Sequence, residues 1–227
     1  MTLRSEELSS NLGAVRSQIA NAAQSAGRST AEITLIAVTK TYPTSDVAIL
    51  HELGVEDFGE NRDGEGREKS SVVPATWHFQ GQIQGNKIPS IARWADVIHS
   101  LDDPRHVRIL SKTLPGSKIL GVFLQVCLDP QPGRGGVSSE ELPPLAELVL
   151  ATPSLHLEGL MAVAPLGENP ESAFGRLAQI HSDFCLHFPS ATALSAGMSG
   201  DFQVAIKHGA THVRVGSSIL GSRTLVR

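Results

Sequence analysis

The sequence predicts an α/β protein: a single (β/α)8 TIM barrel preceded by an extra N-terminal helix, one domain over residues 1–227. Three observations predict it. Eight short apolar segments alternate with helical patterns, and no two of them are joined by a two-residue hairpin turn. A parallel sheet with helical crossovers follows from that pattern. The length of 227 residues falls where such an alternation can close on itself. A doubly wound open sheet is the alternative.

The first element is an amphipathic helix. Leu8, Leu12, Val15, Ile19 and Ala23 recur every three or four residues between Ser5 and Ala26, and Gly27 is placed to stop the helix. Strand-like segments then run over 33–39, 55–59, 76–80, 96–99, 118–127, 156–163, 192–195 and 212–215. Helical patterns fill 44–53, 61–71, 86–94, 104–113, 139–151, 170–187 and 200–208. Trp77, Trp94 and the phenylalanines read as core. One Pro/Gly-rich stretch, Asp129 to Gly136, follows the fifth strand and is short enough to be a functional loop.

Composition excludes several classes. The net charge is −4 and the basic residues are scattered, which is no footprint for nucleic acid. Cys127 and Cys185 lie far apart, without metal-type spacing, and read as buried thiols of a reducing compartment. No apolar run approaches the roughly 20 residues that span a bilayer. Met1 to Asn11 is too polar for a signal peptide, so a soluble cytoplasmic protein is expected. The nine histidines show no paired spacing, and no metal is expected.

In a barrel the loops after the strand C-termini form the reactive face. Lys40 ends the apolar run Ile33-Thr34-Leu35-Ile36-Ala37-Val38-Thr39. An amine there loses hydration, which raises its unprotonated fraction and suits attack on a carbonyl. The rival is a lysine that snorkels to solvent. After the seventh and eighth strands come Ser195-Ala196-Gly197-Met198-Ser199-Gly200 and Gly216-Ser217-Ser218. Glycines and free N–H groups at these turns suit a phosphate, although Ser199 could be an ordinary helix cap. Lys40 and a phosphate cradle together fit pyridoxal 5′-phosphate, and a phosphosugar Schiff base less well. Asn61, one residue past a strand, could bind a ring hydroxyl or cap a helix. His78 reads as a satisfied core histidine.

These strand-end segments resemble the YggS/PROSC family of pyridoxal phosphate homeostasis proteins. The resemblance rests on Leu35 to Lys40, Phe58-Gly59-Glu60-Asn61, Trp77 to Gly81 and Gln84 to Lys87. It continues through Gly159 to Ala162, Leu194 to Ser199 with Asp201, and Val213 to Ser218 with Gly221 and Arg223. It implies a barrel like the N-terminal domain of alanine racemase, with pyridoxal 5′-phosphate held by Lys40 as a Schiff base. It further implies that Ser199, Gly216 and Ser217 hold the phosphate, that Asn61 lies close to the ring, and that Arg214 points into the site near the pyridine nitrogen or the phosphate. Two departures stand out: Gln80 and Gln82 replace residues usual in the family, and Arg134-Gly135 stands where a lysine often precedes the glycine.

The resemblance implies a carrier in vitamin B6 homeostasis, with apo pyridoxal phosphate enzymes as transient partners, and no catalytic residue. A racemase-like enzyme is the alternative. Racemisation needs an acid/base on each face of the α-carbon. The one tyrosine, Tyr42, lies only two positions from Lys40. An open, monomeric binding protein is therefore expected.

Overall fold

A computed structural model describes residues 2–129 and 134–221. Within them eight parallel strands close a barrel in chain order, so the TIM-barrel expectation holds and the open sheet does not. The strands are β1 (Thr34–Val38), β2 (Asp57–Glu60), β3 (Thr76–Phe79), β4 (Val97–Leu101), β5 (Leu120–Gln125), β6 (Leu155–Met161), β7 (Ala193–Met198) and β8 (His212–Val215). The helices are α1 (Leu3–Ser25), α2 (Thr44–Glu52), α3 (Asp63–Ser70), α4 (Ile88–Trp94), α5 (Pro104–Thr113), α6 (Leu142–Leu150), α7 (Pro170–His187), α8 (Phe202–Lys207) and α9 (Ser217–Leu220). Residues 130–133 of the Pro/Gly-rich stretch, and Arg223, lie outside the described residues.

Local chemistry explains the helix starts. Asp103 accepts from the Arg105 N–H and Asn169 from the Glu171 N–H, each followed by a proline in the first turn. Proline costs nothing there, because its missing N–H would have had no partner. The predicted helix over 139–151 begins instead as a 3-10 turn, Ser139–Glu141, with Ser138 and Glu141 forming a capping box. The fifth strand is shorter than expected: Val126 makes only an isolated bridge to Val137. Both cysteines are half-buried, a correction to the buried thiols expected from spacing alone.

The predicted stripe of α1 is buried in full. The helix docks on the part of the barrel that carries the last two loops. Arg4 Nη2 donates to Asp46 Oδ2 (2.6 Å) and to the Leu220 carbonyl (3.1 Å). Asn11 donates to the Ile219 carbonyl at 3.0 Å. Arg28 Nη1 reaches the carbonyls of Ile206 (3.0 Å) and Ala210 (2.7 Å). The extra helix and the turn that follows it thereby fix α8 and α9, the elements that follow β7 and β8. Among the described residues no helix is long and apolar enough to cross a membrane.

Candidate functional site

Lys40 stands two residues past β1, and both peptide groups flanking it are tied to α3. The Thr39 carbonyl accepts from Lys69 Nζ at 2.8 Å, and the Thr41 N–H donates to Glu65 Oε2 at 2.5 Å. Thr41 has φ +70°, a left-handed conformation that a β-branched residue adopts only when held there. Lys69 Nζ also lies 2.6 Å from Glu60 Oε1, and the Thr39 hydroxyl donates to the same oxygen at 2.6 Å. Burial raises the Glu60 pKa, and Lys69 and Thr39 oppose that rise. Burial also pushes Glu65 up, but the Thr41 N–H and Lys69 outweigh it and hold that carboxyl below the ordinary range.

The adjoining wall comes from the loops after β2 and β3. Asn61 precedes Arg62, the N-cap of α3, so it is free of the capping role that rivalled a ligand contact. Gly81 lets these loops meet: a Cβ there would lie 2.1 Å from the Asn61 carbonyl oxygen. Gln80 lines the same wall, and its buried Nε2 has no hydrogen-bond partner among the described residues.

The loops after β7 and β8 form the opposite end. Gly197 has φ +91°, and a Cβ there would come within 2.7 Å of Phe202 and Ala205; only glycine fits the turn. Ser199 does not cap α8, whose N-cap is Asp201. Its hydroxyl instead accepts from the N–H groups of Gly216 (3.1 Å) and Ser218 (3.4 Å), stitching the two loops together. Arg214 is buried, with Nη1 donating to Ser195 Oγ (2.6 Å) and Nη2 to the Ala162 carbonyl (3.0 Å). Burial pushes its pKa down to about 10 against the pull of Asp201, so it remains a cation at neutral pH.

All six residues singled out in the sequence, Lys40, Asn61, Ser199, Arg214, Gly216 and Ser217, line one cavity of about 560 Å³ at the C-terminal mouth of the barrel. Among the described residues, Lys40 and Arg214 are the charged ones of that lining, which holds no carboxylate, although the chain is acidic overall. The cavity therefore suits an anion that also presents an electrophile. Sequence reasoning missed Gln80 as a lining residue, together with Met161, Val163 and Met198. Gln80 directly follows β3, so its strand-end position was the available signal. His78 is a satisfied core histidine, as expected, between Asp57 and His99.

The family model described as alanine racemase, N-terminal domain, matches residues 10–224. The pyridoxal phosphate homeostasis protein of Mycobacterium tuberculosis is 40% identical over 245 residues, covering 98% of this chain and 95% of the relative. The chain belongs to this family of pyridoxal phosphate homeostasis proteins. The family member from Escherichia coli is 36% identical over 231 residues, with 96% of this chain and 97% of the relative covered. PipY of Synechococcus elongatus, solved with PLP bound, superposes with a TM-score of 0.81 at 27% identity, over 94% of this chain and all of PipY (100%). Alanine racemase from Oenococcus oeni shares the fold alone: TM-score 0.71 at 18% identity, over 98% of this chain and 65% of that longer one.

Proposed function

We propose that this family member, a single barrel domain over 1–227, binds pyridoxal 5′-phosphate in the strand-end cavity and holds it covalently through Lys40 Nζ. It would act in the cytoplasm as a monomeric carrier in vitamin B6 homeostasis, passing the cofactor to apo-enzymes rather than turning it over. The observation that carries the reading is that Lys40 and the Ser199, Gly216 and Ser217 end share one cation-lined cavity.

The residues present fit the group. Among the described residues Gln80 Nε2 is a buried donor without a partner, and the lining holds Lys40, Arg214 and small hydroxyl residues for a dianion. Pyridoxal phosphate supplies an aldehyde that condenses with an unprotonated amine, with loss of water. Ser199, Gly216 and Ser217 would hold its phosphate, Asn61 would lie beside the ring, and Lys40 supplies the amine. Arg214 would donate towards the pyridine nitrogen and keep it unprotonated, which weakens electron withdrawal by the ring.

A carrier rather than a racemase is supported by Tyr42. A second acid/base would have to face Lys40 across the ligand. The Tyr42 hydroxyl, from the same strand end as Lys40, spends its proton on the Gly221 carbonyl at 2.7 Å.

Borohydride reduction of the loaded protein followed by peptide mass spectrometry tests the reading. Lys40 is expected to carry the reduced cofactor, and Lys40→Ala to lose the absorption of the covalently bound form. Loaded protein should also restore activity to an apo-enzyme. Label on another lysine overturns the assignment, and racemase or transaminase turnover well above that of free cofactor overturns the carrier.

A further inference from the structure

The barrel interior contains a polar chain that lining a cavity does not explain. Arg214 Nη1 donates to Ser195 Oγ at 2.6 Å, and Ser195 Oγ lies 2.9 Å from His99 Nδ1. His99 Nε2 is 2.8 Å from His78 Nδ1, and His78 Nε2 is 3.0 Å from Asp57 Oδ1. Ser195, His99 and His78 are all buried. Asp57 opens β2 at the N-terminal mouth of the barrel, where it lines a separate cavity of about 260 Å³ with Arg16, Thr34 and Glu56. The chain therefore crosses the barrel from the pocket to the opposite face.

Hydrogen-bond accounting gives the chain one direction. Ser195 Oγ accepts from the arginine, so its own proton is free for His99 Nδ1. His99 must then carry its proton on Nε2 and donate to His78 Nδ1, which leaves His78 Nε2–H to meet the Asp57 carboxylate. The reverse direction sets an unprotonated His78 nitrogen against that carboxylate unless His78 is charged, and leaves the Ser195 hydroxyl proton without an acceptor among the described residues. Burial, reinforced by His78, Arg214 and His212, drives the His99 pKa well below its ordinary value, in keeping with a neutral ring. Phe123 on β5 stacks on His99 at 4.5 Å and fixes the plane of that ring.

We propose that Ser195, His99 and His78 are positioning residues that orient the Arg214 guanidinium in the pocket and connect it to the charge of Asp57 at the far mouth. A row of aligned donors polarises each member, so the Ser195 oxygen facing Arg214 carries more negative charge than an isolated hydroxyl would. This offsets part of the cost of burying a cation that has no carboxylate in hydrogen-bond contact among the described residues. The importance of Arg214 for the cofactor rests on the function proposed above; the chain itself does not.

Two measurements separate those statements. Nitrogen-15 NMR of the histidines in ligand-free protein should show His99 neutral, with its proton on Nε2. A proton on His99 Nδ1 overturns the proposal. Asp57→Asn keeps an acceptor but removes the charge; it is expected to shift the His99 nitrogen signals and, in protein loaded with pyridoxal phosphate, the visible absorption maximum. Ser195→Ala, which deletes the link next to Arg214, should abolish the response of that maximum to Asp57→Asn and release cofactor several-fold faster. If Asp57→Asn leaves the His99 signals unmoved, the relay is wrong. If the signals move but the wild-type protein takes up no cofactor, the relay stands and the functional proposal fails.

Discussion

Lys69 Nζ donates to the Thr39 carbonyl at 2.8 Å, so a buried ammonium on α3 holds the backbone one residue before Lys40. The same ammonium neutralises Glu60, whose side chain is wholly buried. A charged pair in the interior returns little net stability, yet removing one partner strands the other. Its value here is positional. The strand end that presents Lys40 is pinned by an ion pair rather than by apolar packing.

Lys69→Met should therefore cost about 3–5 kcal/mol of unfolding free energy, the range for breaking a buried pair. Urea unfolding reads it. The double variant with Glu60→Gln should recover much of the loss, because no uncompensated charge remains. Equal instability of the single and double variants would show that packing of the lysine stem, not charge, holds this corner.

The pH dependence follows from Glu60. Burial raises its pKa above the ordinary 4.5, so between that value and the raised one the folded state retains a proton that the unfolded chain has released; above it the carboxylate pairs with Lys69. Stability contributed by this group is full below the unfolded value and falls as pH climbs from about 4.5 through the raised folded value. The stability difference between wild type and Glu60→Gln is expected to shrink from acid towards neutral pH. A difference that grows with pH would mean Lys69 holds the carboxyl below its ordinary range.

Periodicity made the barrel legible. The α1 stripe and the eight strand segments each follow from spacing that a single element must bury, and the strand-end position picked out Lys40 and the two serine-glycine loops. The buried faces that spacing could not reveal belong to polar segments. Helix α3 reads Asp63-Gly64-Glu65-Gly66-Arg67-Glu68-Lys69-Ser70, with no apolar stripe to mark Lys69 as interior. It packs because Gly66 leaves room for the Trp94 ring, against which a Cβ would lie at 2.3 Å. The chain from Ser195 to Asp57 was hidden for another reason. His99 and Ser195 are 96 residues apart, and only closure of the barrel brings them together.

Thr41→Gly should stabilise the fold. A non-glycine residue in the left-handed region costs about 1–2 kcal/mol, whereas glycine brings an entropy cost of about 0.5–1 kcal/mol. The net gain of up to about 1.5 kcal/mol corresponds to a few degrees in Tm for a chain of this size. Calorimetry checks it. The same change frees the segment beside Lys40, so uptake of pyridoxal phosphate is expected to slow even as Tm rises. A drop in Tm would show that the Thr41 side chain, not its conformation, matters.

Ser199→Ala separates the phosphate end of the cavity from the lysine end. Its hydroxyl oxygen accepts two backbone N–H groups, from Gly216 and Ser218, and removing it leaves both donors without that partner and unstitches the two loops. The loss of about 1–2 kcal/mol should weaken pyridoxal phosphate about tenfold. Pyridoxal, with the same aldehyde and no phosphate, should bind the variant and the wild type nearly alike, since on the proposed reading it would engage only the Lys40 end. Titration of both ligands against both proteins reads the ratio. An equal loss for pyridoxal would mean that Ser199 supports the whole cavity rather than the phosphate, and the assignment of the serine-glycine loops as the anion site would have to be given up.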